Sequence, residues 1–180
     1  HGVLGNAELF AKADIHNFFG SISHRLIKDK LMKYTKYNGL VAAILTYLMT
    51  DMGFAPQGAI TSAGISNFIM LEADEELKNR IAERGWSVVR YADDYIFGKK
   101  EFDPFSDETS MEEEGKWLFD TLEDVLKGIG LTLNRKKCDI FPKWQQKPIM
   151  GLVDYVKINI PRRYYDRLKA AVYNFTVKGQ

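Results

Sequence analysis

Two adjacent aspartates, Asp93 and Asp94, interrupt a run of β-branched and aromatic residues at positions 88–97. Valine, tyrosine, isoleucine and phenylalanine favour the pleated, half-buried surface of a strand, whereas paired aspartates are common in tight turns. The pattern therefore predicts a β-hairpin with both carboxylates at its tip. Adjacent like charges repel each other, and a hard divalent cation such as Mg²⁺ relieves that repulsion. Taken alone, such a turn is more often only solvated, so the prediction of a metal site depends on residues elsewhere.

A third aspartate, Asp14, ends a predicted strand over residues 9–15. The order of strand, helices and hairpin allows this strand to pair beside the hairpin in one antiparallel sheet. That pairing would bring three carboxylates together, although Asp14 and Asp93 lie far apart in the sequence. Three clustered aspartates on a rigid sheet can hold two metal ions, which orient and neutralise an attacking oxygen, a phosphate and a leaving pyrophosphate.

Apolar residues at helical spacing predict four helices around these strands. The second helix is so apolar that we expect it to be buried. The third follows a loop of small residues, 53–64, and either Thr61 or Ser62 is suited to cap it. The fourth begins with a capping-box sequence, Ser110 to Glu113, and follows a predicted surface loop. The helices span about 24–34, 40–48, 62–83 and 110–127, and the surface loop spans 99–109.

The composition is that of an ordinary globular protein, with 46% hydrophobic and 13% aromatic residues in a chain of 180. The single cysteine, Cys138, excludes an intramolecular disulfide, and no stretch has the apolar length of a membrane span or the layout of a signal peptide. We therefore predict a cytoplasmic protein without a membrane partner. Because the chain begins with His1 rather than Met, we expect it to be part of a longer protein.

The net charge of +1 hides an uneven distribution along the chain. Residues 1–98 carry 10 basic and 11 acidic side chains, residues 99–128 carry 4 and 10, and residues 129–180 carry 11 and 3. The last segment suits a phosphate backbone, although a solvated basic face is the commoner cause of such a run. Composition is therefore consistent with a nucleic-acid partner but does not require one.

Four short segments, taken in order and with their spacing, resemble the successive palm motifs of reverse transcriptases. Their forms are similar to those of the prokaryotic members, which include group II intron, retron, diversity-generating and phage-defence enzymes. The resemblance implies an α+β polymerase palm, an antiparallel sheet backed by helices. It implies a palm with the last part of the fingers over residues 1–160 and the start of a thumb over 161–180. The four segments are Asp14 to Phe19, Pro56-Gln57-Gly58 with Ser62, Tyr91-Ala92-Asp93-Asp94, and residues 130–137.

The resemblance implies a metal site and a proton donor. Two Mg²⁺ ions, with Mn²⁺ as a substitute, would be bound by the three aspartates and by the backbone carbonyl of Ile15. Lys137 matches the lysine that protonates the departing pyrophosphate. The neighbouring Lys136 leaves this assignment open by one residue, and a solvated lysine is the alternative. The implied metal ligands are Asp14, Ile15, Asp93 and Asp94.

The resemblance also implies a nucleotide pocket. Phe19 matches the bulky residue that presses on the sugar of the incoming nucleotide and leaves no room for a 2′-hydroxyl. Viral RNA-dependent RNA polymerases, the nearest alternative, carry an aspartate at this point of the motif. The backbone of Asn17 and Phe18 would lie beneath the triphosphate, while Gln57 and Gly58 would line the pocket for the nucleotide and the templating base.

Contacts to nucleic acid are implied at Tyr91, at Gly151 in a hairpin that grips the primer end, and at Arg163 and Arg167 in the first thumb helix. The neighbouring tyrosines, Tyr164 and Tyr165, either follow the duplex backbone or belong to the core.

The predicted function is therefore that of an RNA-directed DNA polymerase. Its partners would be an RNA template, a DNA or RNA primer, deoxynucleoside triphosphates and a cognate structured RNA. Two alternatives stay open: a template-independent or protein-primed DNA polymerase on the same palm, and a noncatalytic nucleic-acid-binding palm fragment. The intact aspartate triad argues against the second alternative, because a retired site has no physical need for three clustered charges.

Overall fold

A computed structural model of the chain describes residues 6–103, 110–145 and 162–178. The chain forms two compact units, His1–Ile140 and Phe141–Gln180. Most of the predicted loop 99–109, the predicted primer-grip hairpin with Gly151 and the side chain of Arg163 lie outside the described residues. The predicted boundary between palm and thumb stays a prediction.

Four strands form one sheet with the order β2-β3-β1-β4. Both β1 and β2 pair antiparallel with β3, so the predicted hairpin is formed by β2 and β3, and the strand of Asp14 pairs beside it. This confirms the sheet arrangement that was predicted from the order of the elements. The strands are β1 (Leu9–Asp14), β2 (Trp86–Tyr91), β3 (Asp94–Lys99) and β4 (Asp139–Pro142).

The helices predicted from apolar spacing are present, and a short helix follows β1. The capping box at Ser110 and Glu113 is confirmed, since each side chain accepts a hydrogen bond from the other residue's backbone N–H. The described helices are α1 (Phe18–Ser21), α2 (His24–Tyr34), α3 (Gly39–Met49), α4 (Ile60–Ala82), α5 (Met111–Gly128) and α6 (Arg162–Lys178). None of the described helices is long and apolar enough to cross a bilayer.

The predicted cap of α4 was wrong. The helix begins at Ile60, and its N-cap residue is Ala59, which makes no side-chain cap bond. Ser62 lies inside the first turn, where its hydroxyl donates to the carbonyl oxygen of Pro56 at 2.5 Å. The serine therefore ties the helix to the preceding loop instead of capping it.

The core of the first unit lies between the sheet and the helices α4 and α5. Apolar residues of α4 recur every four positions and are buried, as the helical spacing predicted. Each large side chain removed from water contributes about 1.5–3 kcal/mol to folding. This packing holds rigid the strand ends that carry the aspartates. The buried α4 residues of this series are Ile65, Ile69, Ala73, Leu77 and Ile81.

The prediction that the second apolar helix is buried was wrong. In α3, Leu40, Tyr47 and Leu48 are 70%, 75% and 74% exposed. The buried residues of this helix are Ala42 and Thr46, and α3 packs against α2. Apolar content alone does not show which side of a helix is covered, and here the side with the smaller residues is covered.

In α6, Tyr164 and Tyr165 are exposed, which contradicts their interpretation as core residues.

Candidate functional site

The three predicted metal ligands lie at the ends of neighbouring strands. Asp14 is the last residue of β1, Asp94 is the first residue of β3, and the two are register partners. Asp93 lies in the turn between β2 and β3, and its carbonyl oxygen accepts a hydrogen bond from the N–H of Ile15 at 3.0 Å. The sheet register therefore places the backbones of the three aspartates at neighbouring strand ends.

The carboxylate of Asp14 is buried and makes contacts through both of its oxygens. Its Oδ2 accepts a hydrogen bond from Nζ of Lys137 at 2.8 Å, and its Oδ1 accepts one from Nδ2 of Asn134 at 3.1 Å. The backbone N–H of Asn134 also donates to the carbonyl oxygen of Asp14, at 2.8 Å. The short 3₁₀ helix Arg135–Lys137 thus presents a cation to the end of β1, and its N-cap residue Asn134 presents an amide.

Two groups of this cluster, Asp94 and Lys137, have raised pKa values. Burial raises the pKa of Asp94, and the negative charges of Asp93 and Asp14 raise it further. The pKa of Lys137 is also raised, mainly because its ammonium group donates a hydrogen bond to Asp14. The carboxyl groups are therefore close enough to repel each other, and the lysine is held in its protonated form.

The donor set fits a hard divalent cation. Carboxylate oxygens are the ligands that Mg²⁺ prefers in proteins. After burial, repulsion from Asp93 and Asp14 contributes to the raised pKa of Asp94, and a bound cation relieves repulsion of this kind. In the part of the chain that the structure describes, no three His, Cys, Asp or Glu side chains are arranged so that they could hold a metal ion together. The aspartate Asp14 is instead paired with Lys137.

A cleft of about 550 Å³ opens beside Asp14. One of its walls is aromatic: the buried ring of Phe18 lies 5.2 Å from the ring of Phe19, centroid to centroid. Asn17 has a left-handed backbone, with φ of 45°, and turns the chain from β1 into α1. The cleft brings most of the predicted metal, nucleotide and proton-donor residues together. Those that line it are Asp14, Ile15, Asn17, Phe18, Phe19, Gln57, Asp93 and Lys137.

Other predicted residues lie near the cleft without lining it. Asp94 lines a second cleft, of about 490 Å³, with Lys12 and Lys136. Gly58 follows Gln57 in the chain and has φ of +85°, a conformation that favours glycine. Tyr91 is exposed and is the register partner of Asp94.

In the second unit, Arg167 is exposed on α6.

Two residues that contact the site were missed as functional candidates. Asn134 was part of a quoted motif, but its contact with Asp14 depends on the fold. Arg90 was passed over inside a strand. Strand alternation was the available signal, because Arg90 lies on the same side of β2 as the buried Trp86, and an arginine on a core-facing side must be paired.

Residues 3–152 match the family model described as reverse transcriptase (RNA-dependent DNA polymerase). This chain belongs to the reverse transcriptase family. It is 27% identical over 169 residues to the Retron Ec86 reverse transcriptase of Escherichia coli, a match that covers 93% of this chain and 49% of that protein. It is 25% identical over 192 residues to the Retron Mx162 reverse transcriptase of Myxococcus xanthus, covering 93% and 39%. The predicted resemblance to prokaryotic reverse transcriptases is confirmed. The chain spans about half the length of these relatives or less.

Solved structures agree on the fold. The structure of apo telomerase from Candida tropicalis, truncated from its C-terminal domain, superposes with a TM-score of 0.58 at 9% identity. The match covers 89% of this chain and 36% of that one. At this identity the likeness shows the fold alone, and it confirms the predicted α+β polymerase palm.

Proposed function

We propose that this reverse transcriptase chain is the catalytic palm of an RNA-directed DNA polymerase, which adds deoxynucleotides to a primer 3′-hydroxyl. The observation that carries the proposal is the meeting of Asp14, Asp93 and Lys137 at one cleft beside Phe19. These are the acidic, basic and bulky side chains that such a reaction needs in one place. The partners would be an RNA template, a DNA or RNA primer and deoxynucleoside triphosphates.

The retron relatives favour a structured RNA as a further partner of this chain. A cytoplasmic location stays a prediction.

Divalent metal ions are the cofactors of this proposal, two Mg²⁺ with Mn²⁺ as a substitute. Asp14, Asp93 and Asp94 would hold them, with the carbonyl of Ile15 as a further ligand. Bound ions would supply charge neutralisation at the attacking oxygen, the phosphate and the leaving pyrophosphate. Support comes from the strand register that places the aspartates at neighbouring strand ends and from the pKa of Asp94, which burial raises and which the charges of Asp93 and Asp14 raise further.

The residues around the metal ligands would bind the triphosphate, select the sugar and protonate the leaving pyrophosphate. The backbone of Asn17 and Phe18 would lie under the triphosphate, because both residues line the cleft next to Asp14. The ring of Phe19 would exclude a 2′-hydroxyl from the sugar position. Lys137 would carry the proton for the leaving pyrophosphate, because its hydrogen bond to Asp14 holds the ammonium group at the cleft.

The test is primer extension by the full natural protein on an RNA template, with Mg²⁺ and either deoxynucleotides or ribonucleotides. We expect extension with deoxynucleotides, and loss of extension in Asp93→Asn, which removes one charge without changing the shape. Asp29→Asn, at an exposed position of α2, is the matched control and should extend normally.

Two results would contradict the proposal. Extension that needs no template would favour the template-independent alternative. Salt-dependent RNA binding without extension on any template would favour the noncatalytic binding fragment.

A further inference from the structure

The guanidinium group of Arg90 is buried beneath the aspartate hairpin, with its side chain 7% exposed. Its Nε lies 2.9 Å from both carboxylate oxygens of Asp74 on α4, and its Nη2 lies 2.7 Å from Oδ2 of the same residue. Nη2 also donates to Oδ1 of Asn67 at 3.2 Å. The hairpin is therefore fastened to the long helix α4 by a forked, charge-assisted contact.

The same arginine reaches the turn itself. Its Nη1 donates to the carbonyl oxygen of Ala92 at 2.8 Å. Ala92 has φ of +53°, in the left-handed region that residues other than glycine rarely adopt. A strained backbone persists only where surrounding contacts determine it. The hydrogen bond from Arg90 is one of the contacts that hold this backbone conformation, and it acts on the residue just before Asp93.

The opposite strand is held by the same carboxylate. Tyr95 is the register partner of Arg90, and its buried hydroxyl donates to Oδ1 of Asp74 at 2.9 Å. The second cross-strand pair from the turn therefore has both members bonded to one residue of α4. Such a double attachment restricts rotation of the hairpin tip relative to the helix.

We propose that Arg90 is a positioning residue for the reaction, which acts through Asp74 and Ala92 to hold the carboxylates of Asp93 and Asp94 opposite Asp14. This inference rests on the proposed function in that the aspartates are taken as metal ligands. The guanidinium group contacts the aspartate through Nε and Nη2 and the turn carbonyl through Nη1, whereas a lysine has only one nitrogen for both partners. Charge alone is therefore insufficient at this position.

The experiment compares Arg90→Lys and Tyr95→Phe with the wild-type full natural protein. Tyr95→Phe removes a single hydroxyl and keeps the packing, so it tests the attachment even if Arg90→Lys folds poorly. The matched control is Arg80→Lys, because Arg80 pairs with Glu76 on the same helix and both side chains are about half exposed.

Three measurements are made on each protein: kcat and KM for deoxynucleotide in primer extension, Mn²⁺ affinity by electron paramagnetic resonance, and hydrogen exchange of the turn amides. For Arg90→Lys we expect kcat to fall about 10–100-fold, the factor that the loss of a charge-assisted hydrogen bond produces. KM should change little, Mn²⁺ should bind more weakly, and the amides of residues 91–94 should exchange faster. Tyr95→Phe should change kcat, Mn²⁺ affinity and amide exchange in the same direction but by less. Arg80→Lys should match the wild type.

The outcomes separate this inference from the proposed function. If the wild type does not polymerise, the proposed function fails, while weaker Mn²⁺ binding and faster exchange in Arg90→Lys still support the positioning role. If Arg90→Lys lowers only the melting temperature and leaves kcat, Mn²⁺ affinity and turn exchange unchanged, Arg90 is merely structural and the inference is overturned. Equal losses of kcat and Mn²⁺ affinity in Arg80→Lys overturn the inference as well, because the effect would then not depend on the contact with the turn.

Discussion

The Nζ atom of Lys137 lies 2.8 Å from Oδ2 of Asp14, although the two residues are 123 positions apart in the sequence. The contact joins the predicted proton donor to a predicted metal ligand before any substrate is present. The lysine thereby neutralises part of the acidic cluster, and the cluster in turn raises the pKa of the lysine. The fold alone holds a protonated amine at the cleft.

The first prediction decides between Lys137 and its neighbour Lys136. We expect Lys137→Ala to lower the rate of nucleotide incorporation about 10²-fold or more, as loss of a positioned general acid does. Lys136→Ala is the matched control and should stay within a few-fold of the wild type. Single-turnover incorporation at saturating deoxynucleotide measures both, and a larger loss in Lys136→Ala would move the assignment by one residue.

The second prediction concerns the charge repulsion at Asp94. Its pKa in the folded protein is raised above the ordinary value of 3.8, mainly by burial and then by Asp93 and Asp14. The folded protein therefore binds this proton more tightly than the unfolded chain does, so stability falls as the pH rises from about 4 through the folded pKa. We expect Asp94→Asn to melt at a higher temperature than the wild type at pH 7 in metal-free buffer.

Two controls complete this test. The difference between Asp94→Asn and the wild type should vanish near pH 3, where the carboxyl group is protonated in both the folded and the unfolded state. Asp29→Asn should show no such gain at pH 7. Thermal unfolding followed by circular dichroism gives these values, and a lower melting temperature for Asp94→Asn at pH 7 would show that its carboxylate is net stabilising.

Local patterns predicted much of the fold. The β-branched and aromatic run interrupted by Asp93 and Asp94 predicted the hairpin, apolar spacing predicted α2, α3, α4 and α5, and Ser110 with Glu113 predicted a cap that is present. These features depend on neighbours within a few positions. The pairing of Asp14 beside the hairpin was predictable as well, because few arrangements of these elements form one sheet.

Apart from the cap of α4, the errors and omissions concern contacts between distant segments. The apolar composition of α3 did not indicate that Leu40 and Tyr47 would be exposed. The contacts of Arg90 with Asp74 and of Lys137 with Asp14 are formed only when the sheet and helices pack. A side chain's partner depends on tertiary placement, and a single sequence reports that placement only indirectly.

The third prediction concerns a buried carboxylate behind the sheet. Glu114 on α5 is 4% exposed and accepts a hydrogen bond from Nε1 of Trp86 at 2.8 Å, and its Oε2 lies 3.2 Å from Nζ of Lys99. Its removal leaves a buried N–H and a nearly buried ammonium group without this partner. We expect Glu114→Ala to lower the free energy of unfolding by about 3–5 kcal/mol, and Glu114→Gln by about 1–3 kcal/mol.

Urea unfolding measures both Glu114 variants. The control is Glu112→Ala at an exposed position of the same helix, which should change the free energy by less than about 0.5 kcal/mol. If Glu114→Ala were equally mild, the ion pair with Lys99 would contribute no more than its desolvation costs.

The last prediction tests the aromatic wall of the cleft. Phe19 is partly buried, and its ring packs against that of Phe18, so its position is fixed before a nucleotide arrives. Phe19→Val keeps an apolar side chain but removes the ring, which opens space at the proposed sugar position. We expect incorporation of ribonucleotides relative to deoxynucleotides to rise about 10–100-fold, the range over which an apolar pocket discriminates a single hydroxyl. The measurement is the ratio of kcat/KM for the two nucleotide classes on one primer and RNA template. Tyr37→Val, at an exposed position, is the matched aromatic control and should leave the ratio unchanged. An unchanged ratio in Phe19→Val, with deoxynucleotide incorporation intact, would show that another residue excludes the 2′-hydroxyl.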